Sequence, residues 1–387
     1  MQPDRKLVLA RWSVAFVFFL NGALLGGLFP YLPVLKLGLH LSDQDLGLCL
    51  LFSPIGAVTS LAFMGRIISR FGTRRVTLVT ATLLCAVIPF ALIAPNVWAL
   101  RLCLLLFGAS NGSMDASINT EAVMVQHQYA KPIMSFTHGC WSLGGFMAAA
   151  CVALASKFGC SPVIYSAVAS VIMYACIWWA CSYFLVEDKT EATGEPHFAF
   201  PRGTLLLISV LTACAYAGEG ASYDWSAVFF RVTLRTTESV AAFGFGSFVG
   251  AMALARLLGD GIVHRLGNRR SLQIGSVVAT CGVLVAVVST SPLISAAGYA
   301  MCGIGVANLV PILFRASGSV PGIPPGVGVA AASTFAYSAF FLSPPIIGFV
   351  ADRVSLPFAL GMMGFLVLII GANANRALKE TTLTESA

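Results

Sequence analysis

The chain has 387 residues, of which 58% are hydrophobic and only 10% charged, with a formal net charge of +7. Soluble domains carry about 25% charged residues, so this chain has too few to clothe a water-facing surface around a core of its size. Nucleic-acid binding is a poor reading of the basic excess, because the basic residues sit in short segments between apolar runs and not on one surface.

Those apolar runs are about 18–25 residues long, enough to cross a hydrocarbon layer roughly 30 Å thick. In such a layer each segment must satisfy its own backbone hydrogen bonds, so the runs read as helices. Twelve are predicted in chain order, at residues 12–36, 44–65, 76–94, 99–125, 134–156, 162–185, 204–228, 239–258, 271–290, 293–314, 327–350 and 356–373. The fold class expected is all-α and integral to a membrane, with twelve transmembrane helices in two pseudo-symmetric six-helix bundles. If the N-terminus lies inside, the inner segments hold 16 basic residues: Arg5, Lys6, Arg11, Arg66, Arg70, Arg74, Arg75, Lys131, Lys189, Arg202, Arg265, Arg269, Arg270, Arg315, Arg376 and Lys379. The outer ends hold 6, namely Lys36, Arg101, Lys157, Arg231, Arg235 and Arg353. The positive-inside rule then puts both termini in the cytoplasm. A cleaved signal peptide is not expected, since the first apolar stretch runs past Pro30 and Pro33 without a small-residue cleavage site.

The 11 cysteines show no CxxC pair or zinc spacing, and Cys49, Cys85, Cys103, Cys176, Cys214 and Cys281 lie in apolar runs as small hydrophobes. No metal and no cofactor is expected. The most polar internal stretch, 186–203, divides the chain into an N-terminal bundle at 1–185, a cytoplasmic linker and a C-terminal bundle at 204–387. The halves echo one another. Residues 65–75 read GRIISRFGTRR and residues 260–270 read DGIVHRLGNRR, so that Arg70 and Arg265, Gly72 and Gly267, Arg74 and Arg269, and Arg75 and Arg270 are each 195 positions apart. A shared offset near half the chain length points to a duplicated six-helix unit, one of the recognised transporter designs.

These segments resemble the signature loop of the major facilitator superfamily, Gly-x-Leu-Ala-Asp-Arg-x-Gly-Arg-Arg, which follows helix 2 and recurs after helix 8. Gly65, Arg70, Gly72 and Arg74 match the first copy, with Ser69 at the usual acidic position. Arg256, Gly259, Asp260, Arg265, Gly267 and Arg270 match the second. The run Asp115-Ala-Ser-Ile-Asn119 resembles the helix 4 acidic motif of fucose-permease-like transporters. Lys131-Pro-Ile-Met-Ser135, His138-x-x-Trp141-Ser142-Leu143-Gly144-Gly145, Glu219-Gly-Ala, Asp224-Trp-Ser and Asn308-Leu-Val-Pro311 are similar to the YbjJ-type branch of bacterial permeases. The resemblance implies the major facilitator fold, alternating access and proton coupling. It also implies a central cavity lined by helices 1, 4, 7 and 10, with helices 3, 6, 9 and 12 facing lipid.

Ionisable groups inside a membrane are expensive and therefore functional candidates. Helix 4 carries Asn111, Asp115 and Asn119 at spacings of four, on one face, with Glu121 farther round near its inner end, level with His138 of helix 5. Helix 7 carries Glu219 and Tyr223 on one face, Asp224 just beyond, and helices 1 and 10 offer Asn21 and Asn308. Asp115, Glu219 and Asp224 are the candidate proton carriers. Asn21, Asn111, Asn119, His138, Trp141, Ser142, Tyr223 and Asn308 are the candidate substrate contacts, since amides offer both donors and acceptors to hydroxylated solutes. Gly65, Arg70, Gly72, Arg74, Arg256, Asp260, Arg265, Gly267 and Arg270 are assigned to gating, with Arg256 and Asp260 four apart and able to pair. Gly22, Gly26, Gly27, Gly144 and Gly145 read as close helix packing, and Pro344-Pro345 as a kink.

The expected activity is proton-coupled symport of a small polar solute, sugar- or polyol-like, by a monomer in the bilayer of the cell's inner or plasma membrane. The alternative is proton-driven efflux of a drug or metabolite, against which the absence of proline from Ser142-Leu-Gly-Gly145 counts. No HExxH or phosphate-binding loop occurs, so no enzyme is expected.

Overall fold

The computed structural model describes residues 5–129, 133–185, 201–323, 325–379 and 381. Its secondary structure among them is helical, and twelve helices are long and apolar enough to span a membrane. In chain order they are α1 (Arg5–Gly38), α2 (Asp43–Phe71), α3 (Thr73–Leu92), α4 (Val97–Tyr129), α5 (Met134–Lys157), α6 (Pro162–Tyr183), α7 (Gly203–Thr233), α8 (Glu238–Leu257), α9 (Gly259–Val288), α10 (Pro292–Ser317), α11 (Val327–Arg353) and α12 (Leu356–Leu378). Local sequence sets several starts. Thr237 and Ser355 accept from the backbone N–H groups of Val240 and Phe358, and Pro162, Pro292 and Pro357 occupy first-turn positions, where a missing N–H costs nothing.

The predicted spans recur in order, with one systematic difference. The signature segments were expected as loops, but they are mostly helix. The α2 helix continues to Phe71, α3 resumes at Thr73, and α9 begins ten or more residues before the expected 271. Hydropathy ends a span where charge begins, whereas a helix runs on past the apolar layer as long as its backbone permits. The interruption in each copy is a single glycine, Gly72 at φ 79°, ψ 154° and Gly267 at φ 75°, ψ 158°, a region open to glycine and strained for other residues.

The chain forms two compact units, Met1–Leu41 with Cys49–Thr193 and Ser42–Leu48 with Gly194–Ala387. The seven residues Ser42–Leu48 at the start of α2 thus belong with the second unit. There, a Cβ on Gly47 would meet the Pro344 carbonyl, and one on Gly348 the Asp43 carbonyl. Of the expected linker at 186–203, residues 186–200 lie outside the described residues, as do Lys131 and Pro132.

Each unit pairs its helices in the same way. In the first, α1 packs on α5, α2 on α4, and α3 on both α4 and α6; in the second, α7 packs on α11, α8 on α10, and α9 on both α10 and α12. Glycine makes the α1–α5 contact close: added Cβ atoms at Gly22, Gly26 and Gly144 would meet the backbones of Trp141, Gly145 and Phe19. Gly27 does not join them, having open space around its Cβ position. The helices α3, α6, α9 and α12 turn large apolar side chains outward, among them Val79, Phe90, Val171, Trp178, Val277, Val288, Phe358 and Phe365. Cys281 on α9 is exposed, unlike the buried Cys49 and Cys85.

Candidate functional site

The centre of the first unit is a hydrogen-bonded set of amides and an indole. Asn21 on α1 donates from Nδ2 to Asn111 Oδ1 on α4 at 3.1 Å, and Trp141 Nε1 on α5 donates to Asn21 Oδ1 at 2.9 Å. Three helices are thereby tied at one level. Asn21 is buried, and Asn111 and Trp141 are half-buried. One turn along α4 lies Asp115, with no basic side chain paired to it among the described residues, and Asn119 Nδ2 donates back to the Asp115 carbonyl at 2.8 Å. Ser142 is buried, with no partner for its Oγ among the described residues. His138 packs edge-on against Phe18 at 5.2 Å between ring centroids.

Toward the signature segment, α4 carries a second polar cluster. Glu121 has no exposed surface. It accepts from Thr73 Oγ1 at 2.6 Å and from the Leu185 backbone N–H at 2.6 Å. Ser117, one turn earlier, donates to the Thr73 carbonyl at 2.8 Å and shares a 2.9 Å hydrogen bond with Thr77. A buried carboxylate on α4 therefore holds the first turn of α3, just past Gly72, and the chain leaving α6. Ser69, at the position where the signature carries an acid, donates to the Arg66 carbonyl of its own helix. The missing acid is the sequence signal that sends attention to another carboxylate nearby, and helix spacing places Glu121 at the right end of α4. The same end of the unit holds Arg11, whose Nη1 donates to Tyr129 OH at 3.0 Å and whose guanidinium lies 5.0 Å from the Tyr129 ring and 5.7 Å from that of Phe136.

In the second unit the centre is charged. Arg256 on α8 donates from Nη2 to both Glu219 oxygens on α7, at 2.9 and 3.1 Å. Its Nε donates to the Ala307 carbonyl at 3.3 Å. Ala307 and Asn308 form a break in α10 between Val306 and Leu309, so the arginine takes up a backbone acceptor near a point where the helical ladder stops. Arg256 thus has a partner on another helix; its expected pairing with Asp260 falls on a side chain that lies outside the described residues. Asn308 stands against Gly259, where an added Cβ would collide with its Oδ1.

Tyr223, one turn past Glu219, packs against Phe245 and Phe248 of α8 with ring centroids at 5.8 and 5.4 Å. Asp224 is buried, without a hydrogen-bond partner among the described residues. It is followed by Trp225 and Ser226, whose Nε1 and Oγ are buried and also without one. Arg70, Arg74, Arg265 and Arg270 are exposed and form no ion pair among the described residues, Arg70 lying over its neighbour Phe71 at 5.3 Å.

Twelve apolar helices in two like-built units, each with polar groups at its centre, define a membrane transport protein. The comparisons with known proteins carry that further. The model of the Major Facilitator Superfamily matches residues 14–344. The chain is 32% identical over 362 residues to an uncharacterized MFS-type transporter of Yersinia pestis, covering 94% of each. It is 30% identical over 374 residues to an uncharacterized transporter, y4wD, of Sinorhizobium fredii, covering 95% of this chain and 98% of that one. Its fold matches a crystal structure of the nucleoside transporter NupG with a TM-score of 0.77 at 13% identity, over 95% of this chain and 99% of the other. The chain belongs to the major facilitator superfamily and is a multi-pass membrane transporter.

Proposed function

We propose that the protein is a proton-coupled symporter of a small polar, sugar- or polyol-like solute, working as a monomer by alternating access. The observation that carries this reading is the first unit's centre, where a carboxylate without a cationic partner, Asp115, shares a helix face with amides. Ionised and unpaired, Asp115 would cost several kcal/mol in an apolar layer, so it spends part of each cycle protonated. Proton binding then biases one conformational state over another. Asn21, Asn111, Asn119, Trp141 and Ser142 of the first unit offer donors and acceptors suited to hydroxyl groups, and Tyr223 and Asn308 are the candidate contacts of the second unit. Asp224, buried without a partner, is a second proton site. Glu219 serves in combination with Arg256. His138 lies at the margin of this set. The basic signature segments act in gating on the cytoplasmic side, which also holds both termini; cysteine labels at 66–75 and 264–270 test that placement.

The test is uptake into proteoliposomes under an imposed proton gradient, screened without a preselected solute. With the solute in hand, Asp115→Asn mimics a permanently protonated side chain at nearly the same size. It is expected to abolish uphill accumulation while exchange between equal pools continues. Accumulation with unchanged pH dependence would make Asp115 structural.

A further inference from the structure

The pairing of Arg256 with Glu219 is incomplete on the arginine side. A guanidinium has five N–H donors in a planar fork suited to two carboxylate oxygens at once. Here one nitrogen, Nη2, takes both Glu219 oxygens, Nε reaches the Ala307 carbonyl at 3.3 Å, and Nη1 has no acceptor among the described residues. The two side chains are not sealed: 23% of the arginine's surface and 17% of the glutamate's remain exposed. Asn308 lies beside the same break in α10, at Gly259, and Tyr216, one turn before Glu219, packs its ring on Phe314 of α10 and Tyr337 of α11. The unused donors therefore lie on a partly exposed wall of the second unit with aromatic and amide neighbours.

Charge conservation narrows what this wall accepts. The pair is neutral as it stands. Protonating Glu219 alone would leave Arg256 as an uncompensated cation at membrane depth, which is costly. A neutral solute does not remove that cost and a cationic one increases it. A monoanionic solute removes it, because its carboxylate replaces that of Glu219 on the arginine while the proton stays on Glu219, and the wall is neutral before and after.

We infer that Arg256 is a carboxylate-binding residue held in reserve by Glu219, and that the transported solute carries a carboxylate beside its hydroxyl groups. This rests on the reading of the protein as a transporter of a small polar solute, and it narrows the class to hydroxylated monocarboxylates. Entry of the solute breaks the Glu219 contact to Nη2 and forms a two-pronged contact to Nη1 and Nη2, and Glu219 takes up one proton. Among the described residues, the ionisable groups within reach of the pair are Tyr216 and Tyr223 on α7 and Cys302 on α10; the Asp260 side chain lies outside them. On α11, Tyr337 packs on Tyr216, and α12 carries no ionisable residue before Arg376.

Thermal unfolding of the purified protein in detergent tests this without requiring transport. The probes are lactate, gluconate and glucuronate, set against the uncharged alcohols and sugars of the same carbon skeletons. The acids are expected to raise the unfolding temperature and the uncharged compounds not to. If one proton is taken up with each acid, affinity for the acid falls about tenfold for each unit rise in pH, the slope of a one-proton linkage. Glu219→Gln removes that slope and keeps acid binding. Arg256→Gln loses the response, and the double variant Arg256→Gln with Glu219→Gln, in which no charge is stranded, is expected to unfold cooperatively near the parent temperature and still not respond to acids, which shows that the loss is not misfolding. Stabilisation by the uncharged compounds equal to that by the acids, no stabilisation by any acid, or a response that survives Arg256→Gln overturns the inference. A protein that binds acids in this way but accumulates nothing under a proton gradient keeps the inference and overturns proton-coupled symport instead.

Discussion

The two units share a plan of helix pairing and differ in what they place at its centre. The first joins α1, α4 and α5 through neutral groups, Asn21, Asn111 and Trp141. The second joins α7, α8 and the break in α10 through a full ion pair and one guanidinium–carbonyl bond. A duplicated scaffold has thus been kept while its polar interior diverged. The neutral network tolerates the loss of any member, because no charge is stranded. The ion pair does not, because each partner's burial depends on the other.

That contrast can be broken most forcefully at Arg256. Removing one partner of a buried pair costs about 3 kcal/mol or more, so Glu219→Leu or Arg256→Leu alone is expected to lower the unfolding temperature in detergent sharply, while the double Leu variant returns much of it. Additive losses in this cycle would mean that the two side chains do not depend on each other. Glu121 comes next. Glu121→Ala strands the Leu185 N–H and the Thr73 hydroxyl, at about 1–3 kcal/mol, and is expected to raise hydrogen exchange at the start of α3 and the end of α6. Unchanged exchange there would remove Glu121 from its anchoring role. In the neutral centre, Asn21→Ala or Trp141→Phe is expected to cost only about 0.6 kcal/mol, the average for a hydrogen bond between helices in a membrane. A loss as large as that at Arg256 would erase the distinction between the units.

A last pair of substitutions tests what the units have in common. Gly72→Ala and Gly267→Ala each force a Cβ into the same positive-φ conformation, at about 1–3 kcal/mol apiece. Equal losses would show that the two breaks are mechanically alike. Unequal ones would locate strain in one copy only.

The architecture was legible because its signals are one-dimensional. Apolar length gives a span, and a matched offset at Gly72 and Gly267 gives the duplication. Those two glycines also turned out to be where the helix breaks, although the arginines around them suggested whole loops. The partner of Arg256 was not legible. Spacing along one helix favours Asp260 at four residues, whereas Glu219 lies 37 positions away and meets it only through the packing of α7 on α8. Asn111 and Asn119 illustrate the same limit. Both lie on the expected face of α4, yet one bonds to α1 and the other to its own helix, a choice made by which neighbour is near.

The Glu219–Arg256 pair also bears on how the chain is made. Arg256 is the second-last residue of α8, and an arginine adds to the free energy of partition from the translocon by an amount that reaches about 2.5–3.5 kcal/mol at a helix centre and falls toward the ends. Its counter-charge sits on the helix synthesised immediately before it, with α7 ending at Thr233 and α8 beginning at Glu238. The ribosome therefore delivers the anion first and the cation one hairpin arm later, so that α7 and α8 can leave for the lipid with these two charges already paired. The carbonyl at Ala307 arrives afterwards, when the arginine that will receive α10 is already in the bilayer.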